Sequence, residues 1–202
     1  MDNTINKSEN SFGFIPKTTK AKEYHEKYFL SRAVKKLKEI NNLPVQVFVC
    51  GPTLEANKPL ALKRNDTIDE LRKLGHDANS GEELVSELKK YDDGDLKTTN
   101  VYERIVAAQS ELIVIFCGSF GTVGETHDFL NIPEIAQKTL VFIERSNTGG
   151  YTGQGVIELH KITGLVEMYD PEDIDSCKLK GKVLEWVRHC QSIKWMSGKL
   201  AE

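Results

Sequence analysis

Residues 118–125, with the sequence GSFGTVGE, bring three glycines, two hydroxyl side chains and one carboxylate together. They directly follow an apolar run, residues 112–117, that is typical of a strand buried on both faces. The carboxylate, Glu125, is expected in the first turn of the next helix, facing the crevice at the carboxyl ends of parallel strands. There it could attack an anomeric carbon or stabilise an oxocarbenium-like transition state, as carboxylates do in glycosyl transfer. The N–H groups of the turn could hold a phosphate or a ribose hydroxyl.

The same residues also allow a purely structural interpretation. Thr122 could cap the helix that follows, and Glu125, three residues later, could complete a capping box. In that case the carboxylate would bond to the backbone and would not meet a ligand. The sequence leaves both interpretations open.

Further candidate ligand-binding residues are expected around the same crevice. They follow the first predicted strand, belong to the glycine turn, lie on the next helix or lie in a later glycine-rich loop. These residues are Gly51, Pro52 and Thr53; Gly118, Ser119, Gly121 and Thr122; Asp128; and Tyr151. Asp128 is three residues beyond Glu125 on the same helix face, where it could tune the pKa of Glu125 or hold a hydroxyl. Tyr151 could stack on a base from a loop that closes over the site.

The spacing of apolar residues predicts the elements that position this turn. Short apolar runs predict strands, and amphipathic stretches between them predict helices. The strands are expected at residues 45–50, 112–117, 139–144 and 165–169, with a short strand or loop at 76–81, and the helices at 20–41, 65–74, 81–90, 99–109, 123–131, 156–162 and 179–196. Helix 99–109 is expected to turn Val101, Ile105, Val106 and Ala108 inward. The alternation predicts an α/β fold with a single doubly wound, mostly parallel, Rossmann-like sheet flanked by helices.

Length and composition narrow the kind of protein. Residues 1–19 are polar and are expected to form a flexible lead-in, and residues 20–202 are expected to form a single domain. The net charge of -3 gives no whole-molecule reason to expect nucleic acid as a partner. No apolar run approaches the roughly 20 residues that span a bilayer, so no membrane association is expected.

Several kinds of chemistry find no support in the spacing of the side chains. The sequence lacks metal-ligand spacing, a Walker lysine and a nucleophile elbow, so neither a metal nor a cofactor is expected. Its four cysteines form no CxxC pair, and the first residues show no signal-peptide pattern. A reducing, cytoplasmic environment is therefore the expectation.

The glycine turn carries a resemblance to two enzyme families. It is similar to the PGGxGTxxE motif of the "lonely guy" phosphoribohydrolases, which belong to the SLOG superfamily. The matching residues are Gly118, Gly121, Thr122 and Glu125, whereas Cys117 stands in place of the proline and Ser119 in place of the second glycine. The Gly-Thr-x-x-Glu core also resembles nucleoside 2-deoxyribosyltransferases, in which a glutamate nucleophile follows a Gly-Thr pair. Both resemblances imply a catalytic role for Glu125.

The resemblance extends over roughly residues 45–145. Residues 47–52, VFVCGP, resemble the first strand and Gly-Pro-type turn of the deoxyribosyltransferases, and residues 102–115 resemble the helix and strand before their Gly-Thr pair. Residues 76–81 do not reproduce the second glycine-rich motif of the "lonely guy" enzymes. Residues 116–120 contain no acid, where deoxyribosyltransferases usually have aspartates that line the base pocket.

Two functions follow from these resemblances. One is an enzyme that cleaves or transfers at the N-glycosidic bond of a nucleotide, a nucleoside or a related cofactor such as NAD. The other is a module that binds or senses a nucleotide-derived signal, as SLOG-type domains do, often in prokaryotic defence against phage. A purely structural subunit is a third possibility. Related enzymes are commonly dimers or larger, which implies a homo-oligomer.

Overall fold

The computed structural model describes residues 19–53, 58–91, 99–149, Gly153, Gly155 and 165–200. The strands of its sheet are β1 (Gln46–Cys50), β2 (Asp77–Ser80), β3 (Leu112–Cys117), β4 (Thr139–Glu144) and β5 (Val166–Tyr169). The predicted strands are therefore present to within a few residues, and the weak segment at 76–81 is a strand. The predicted helix at 156–162 and the lead-in up to residue 18 lie outside the described residues.

The five strands form one sheet in the order β2-β1-β3-β4-β5, and every neighbouring pair is parallel. The chain therefore moves outward from β1 in one direction to β2 and then in the other direction through β3 to β5. Adjacent strands whose connections leave in opposite directions create a crevice at their carboxyl ends, which is where open α/β sheets bind ligands. In this fold that crevice lies beyond the ends of β1 and β3. The Rossmann-like α/β fold predicted from the sequence is confirmed.

Among the described residues, six helices occur at the predicted places in the sequence, with some differences at their ends, and one further helical turn was not predicted. They are α1 (Thr19–Asn41), α2 (Pro59–Lys73), α3 (Gly81–Leu88), α4 (Thr99–Gln109), α5 (Phe120–Leu130), the single turn α6 (Pro133–Ala136) and α7 (Lys178–Leu200). Short 3-10 turns cover Arg145–Gly149 and Pro171–Asp173. The prediction missed the first six residues of α2, which begins with a proline in its first turn, a position where its missing N–H costs nothing. It also placed the start of α5 three residues too late.

The core lies on both faces of the sheet because the central strands are apolar throughout. All six residues of β3 are buried. On one face α2 and α7 pack over Phe116 and Phe142, whose rings stack at 5.1 Å between centroids. On the other face α4, α5 and α6 pack over Ile113 and Ile115. A parallel sheet that is covered on both faces requires this continuous apolar pattern.

The inward face of α4 differs from the prediction. Tyr102, Val106 and Ala107 are buried, whereas Ile105 is 42% exposed and Ala108 is exposed. The apolar side chains of α4 span more than one face of the helix, and the aromatic Tyr102 takes the position against the core. Apolar type alone therefore did not define which way this helix faces.

The contacts divide the chain into two units, the first ending at Glu39 and the second beginning at Ile40. Within the first, α1 exposes a set of large apolar side chains, namely Tyr28, Phe29, Leu30, Val34 and Leu37, which are 49 to 67% exposed. The single domain expected from residue 20 onward stays a prediction. Among the described residues, no helix combines the length and the apolar character needed to cross a bilayer.

Gln191 links α7 to the segment that leads into β1. Its side-chain amide is 2% exposed, and Nε2 donates to the carbonyl oxygens of Asn41 and Leu43, both at 2.9 Å. We expect Gln191→Met to lower the free energy of unfolding by about 2 kcal/mol, because it leaves two carbonyl groups without their donor. Urea denaturation measures the change. Ser197→Ala, which removes an exposed hydroxyl from the same helix, is the control and should change stability by less than about 0.5 kcal/mol.

Candidate active site

A cavity of about 470 Å³ lies at the crevice beyond the ends of β1 and β3. The turn after β1, the helices α2, α3 and α4, and the start of α5 all contribute to its walls. Six of the residues predicted from the sequence line it: Gly51, Thr53, Ser119, Gly121, Thr122 and Glu125. The structure thus brings the two predicted turns, which are almost 70 residues apart in the sequence, to one cavity.

The other predicted ligand-binding residues have different positions. Pro52 is buried and packs near Gly118, and neither residue lines the cavity. Asp128 also lies outside the lining and forms an ion pair with Arg104 at 3.5 Å. Its role in ligand binding stays a prediction. Tyr151 lies outside the described residues.

The cap of α5 is formed by Ser119 and not by Thr122. Ser119 is the N-cap residue, and its hydroxyl accepts the N–H of Thr122 at 3.3 Å. The hydroxyl of Thr122 accepts in return from the N–H of Ser119 at 2.9 Å and from that of Gly118 at 3.1 Å. The expected box of Thr122 with Glu125 is therefore wrong by one helical turn. Both hydroxyl residues are good capping residues, so the sequence could not separate them.

This cap changes what the turn can offer to a ligand. The N–H groups of Gly118, Ser119 and Thr122 are already bonded within the turn, and that of Val123 donates to the Ser119 carbonyl. These four N–H groups are therefore engaged within the protein, and the turn offers a ligand fewer donors than the glycine pattern led us to expect.

Glu125 has no capping role and presents its carboxyl group to the cavity. Its oxygen Oε2 is buried and has no hydrogen-bond partner among the described residues. Burial raises the pKa of Glu125 to about 7, and the negative charges of Glu103 and Glu82 act in the same direction. The positive charge of Arg64 and a hydrogen bond with the thiol of Cys50 oppose the rise. Near neutral pH the carboxyl group is therefore present in both its protonated and its ionised form.

The acids that surround Glu125 come from helices and not from the strand ends. Glu82 lies in the first turn of α3 and Glu103 on α4, and both line the cavity with Lys89, the residue that caps the end of α3. Burial raises the pKa of Glu103, and the charges of Asp128 and Glu82 raise it further, while Lys89 lowers it. Sequence reasoning missed Glu82, Glu103 and Lys89 because a charged residue on a helix is most often solvated. Only the fold shows that they face the cavity.

Arg64 is the second feature that the sequence did not reveal. This residue of α2 is 1% exposed, and its guanidinium group lies at the end of β1. It donates to the carbonyl oxygens of Pro52 at 3.1 Å and Val49 at 3.2 Å, and more distantly to that of Gly51 at 3.4 Å. It also forms a two-pronged ion pair with Glu82, with Nη1 3.0 Å from Oε1 and Nη2 bonded to Oε2.

The Arg64 pair affects the protonation of Glu82. Burial raises the pKa of Glu82, but the hydrogen bonds and charge of Arg64 outweigh that effect and hold the pKa below its usual value. Glu82 is therefore ionised at neutral pH and balances the buried guanidinium charge. A bidentate geometry of this kind adds both energy and directional precision to an arginine–carboxylate pair.

Two glycines allow the chain to pass close to these side chains. A Cβ atom on Gly51 would lie 2.7 Å from Cδ of Arg64, and one on Gly118 would lie 2.5 Å from Cδ2 of Leu60. Gly51 therefore makes room for the arginine as well as lining the cavity. Gly118, which was predicted to bind a ligand, packs closely against Leu60 and Pro52.

The described residues contain no cluster of three or more His, Cys, Asp or Glu side chains that could hold a metal ion. No protein-family model matches the sequence, and a comparison with curated proteins also finds no match. The function is therefore argued from the fold and from the groups that face the cavity.

The tight approach at Gly118 gives a test of the turn. We expect Gly118→Ala to lower the free energy of unfolding by about 1 to 3 kcal/mol, because its methyl group would displace the buried Leu60. Gly124→Ala is the matched change on α5, where a Cβ atom would meet nothing within 4 Å. Since alanine is a better helix former than glycine, the free energy of unfolding of this variant should rise by about 0.5 to 1 kcal/mol. Equal effects in urea denaturation would contradict the packing that we describe.

The raised pKa of Glu125 predicts a pH-dependent difference in stability. A carboxyl group whose pKa rises on folding stabilises the folded state below its unfolded pKa, near 4.5, and loses that contribution as pH rises through about 7. Relative to Glu125→Gln, the native protein should lose about 2 kcal/mol of unfolding free energy between pH 5 and pH 8.

Urea denaturation of both proteins at the two pH values measures this loss. Glu134→Gln, at an exposed position outside the cavity, is the control and should change stability by less than about 0.5 kcal/mol at either pH. If the free energies of unfolding of Glu125→Gln and the native protein differ by the same amount at both pH values, Glu125 is not the group that titrates.

Proposed function

We propose that this protein cleaves or transfers at the N-glycosidic bond of a nucleotide or nucleoside, with Glu125 at the C1′ centre. One observation carries the proposal: a largely buried carboxyl group with an unpartnered oxygen faces a cavity at the ligand-binding edge of a doubly wound sheet. Leaving a buried carboxyl oxygen without a partner costs stability, which a ligand that supplies the partner would restore.

The size and walls of the cavity support a ligand of this class. Its volume of about 470 Å³ lies within the range of small-molecule sites. The walls carry donors and acceptors suited to sugar hydroxyls, including Thr53, Ser86, Thr99 and the hydroxyl of Ser119.

In the proposed reaction the ionised form of Glu125 acts on C1′. A carboxylate oxygen bonds to C1′ as the C1′–N bond breaks, and the bonding electron pair leaves with the base, which takes up a proton from solvent. Water or a second base then breaks the new C1′–O bond and releases the sugar or the exchanged nucleoside. Positive charge that develops on the sugar ring meets the negative charges of Glu125 and Glu103 in a partly buried site, which stabilises the transition state.

The glycine turn and its place in the sheet also support kinship with the deoxyribosyltransferase-like and SLOG proteins. The Gly-Thr-x-x-Glu residues follow β3, the strand beside the crevice, and the Gly-Pro turn follows β1 on the other side. The proteins of those families imply a homo-oligomer for this chain. The exposed apolar side chains of α1 support that proposal, since such a set is typical of a surface that pairs.

The protonation of Glu125 favours a second candidate function. In its neutral form the carboxyl group is a hydrogen-bond donor and a poor nucleophile, which suits a module that binds or senses a nucleotide-derived signal. Binding without turnover would select this alternative. A nucleotide, an ADP-ribose species or a cyclic nucleotide would then raise the melting temperature in proportion to its affinity.

Release of free base tests the enzymatic proposal directly. The protein is incubated with a panel of nucleosides, nucleotides and NAD, and chromatography measures the base that appears. Glu125→Gln should lower the rate of release at least about 100-fold, because it removes the nucleophile while preserving shape. The rate in the native protein should rise with pH through about 7, as the active carboxylate forms.

Glu87→Gln is the matched control for this experiment. Glu87 lies on α3, outside the cavity, in an exposed ion pair with Lys90, so the variant should release base at the native rate. Equal release by the native protein and Glu125→Gln would exclude the proposed role of Glu125. Absence of release from every substrate, together with ligand-induced stabilisation, would replace the enzyme with the binding module.

A further inference from the structure

The ion pair between Arg64 and Glu82 joins three elements around the cavity. Arg64 comes from the middle of α2, its hydrogen bonds reach carbonyl groups at the end of β1, and Glu82 lies in the first turn of α3. Both side chains line the cavity into which Glu125 points from α5. The part of the wall that α2, α3 and the end of β1 form is therefore held together by one guanidinium group.

We propose that the Arg64–Glu82 pair is a positioning element of this cavity that controls whether the carboxyl group of Glu125 carries its proton. The inference rests on the proposed role of Glu125 and adds to it a means of control. Arg64 and Glu82 act through Glu125 and need not touch a substrate themselves.

The hydrogen bonds explain why the two charges act as one unit. The two terminal nitrogens of Arg64 donate both to Glu82 and to carbonyl groups in and just after β1. The guanidinium group is therefore held from two sides. Only 1% of its side chain is exposed, whereas 53% of the Glu82 side chain is exposed. Water therefore screens the charge of Glu82 more than that of Arg64.

The charges that face Glu125 come from four elements. Arg64 of α2 favours the ionised form of Glu125, whereas Glu82 of α3 and Glu103 of α4 favour the protonated form. The thiol of Cys50 on β1 hydrogen-bonds to the carboxyl group, and the charge of Lys89, at the end of α3, acts on Glu103. Because Arg64 and Glu82 act on Glu125 with opposite signs, each charge offsets part of the effect of the other.

Because the two charges oppose each other, substitution of Glu82 and substitution of Arg64 should shift the titration midpoint of Glu125 in opposite directions. Glu82→Gln leaves the guanidinium charge uncompensated, so the titration midpoint of Glu125 should fall by about one pH unit. Arg64→Met removes the positive charge and leaves Glu82, so the midpoint should rise by at least about one pH unit, because water screens Arg64 less than Glu82. A purely structural role of the pair would not produce shifts of opposite sign.

Carbon-13 NMR of protein labelled at the glutamate carboxyl carbons measures the midpoint without any substrate. The Glu125 resonance is assigned from its loss in Glu125→Gln. Glu87→Gln is the control. Glu87 lies on α3, as Glu82 does, but outside the cavity, so this variant should leave the midpoint of Glu125 unchanged. If Arg64→Met does not fold, the direction of the shift in Glu82→Gln decides alone, because that change is isosteric at an exposed carboxyl group.

The outcomes separate this inference from the proposed function. If the titration midpoint of Glu125 falls in Glu82→Gln and rises in Arg64→Met, the inference is supported, whether or not any base is released. An unchanged midpoint in Glu82→Gln, or shifts of the same sign in both variants, would overturn it. If the protein releases base, the pH dependence of the rate should move by the same amount and in the same direction as the midpoint in each variant.

Discussion

The positive charge of Arg64 is almost completely shielded from water. The arrangement of the elements around the cavity depends on the groups that must pair with this charge. An unpaired buried charge is not tolerated, so a carboxylate and several carbonyl groups must converge on the guanidinium group. Glu82 supplies the carboxylate from α3, and the end of β1 supplies the carbonyl groups. The residue after β1 must be small, because the stem of the arginine passes where a Cβ atom would lie on Gly51.

The same constraint determines the electrostatics at Glu125. The guanidinium charge is already balanced by Glu82, so only part of its effect reaches Glu125, and the burial of that carboxyl group is not compensated. The result is a carboxyl group whose pKa lies near neutrality, in a cavity that carries two other acids. Groups poised in this way are typical of sites that exchange protons or charge with a ligand, although networks of structural ion pairs also perturb pKa values.

Much of the fold could be predicted from the sequence because the central strands are buried on both faces. Such strands must be apolar at every position, and the run from Leu112 to Cys117 satisfies this without exception. The face of α4 could not be predicted, because its apolar residues do not form one clean stripe. Of the site, the two turns that follow β1 and β3 were found, since glycines after apolar strands have a clear sequence pattern. Arg64, Glu82 and Glu103 were not found, because each is an ordinary charged residue on a helix until the fold brings it to the cavity.

The position of the cap removes one of the two interpretations that the sequence allowed for Glu125, the purely structural one. A box of Thr122 with Glu125 would have given the carboxylate a bonded partner in the backbone and a sufficient structural reason to be there. Ser119 and Thr122 satisfy the start of α5 between themselves, so the helix does not need Glu125. A carboxyl group that is partly buried, raised in pKa and unpartnered at one oxygen destabilises the protein that carries it. Local rules of this kind are most often broken at functional sites, and here the group that breaks them faces the crevice at which open α/β sheets generally bind ligands.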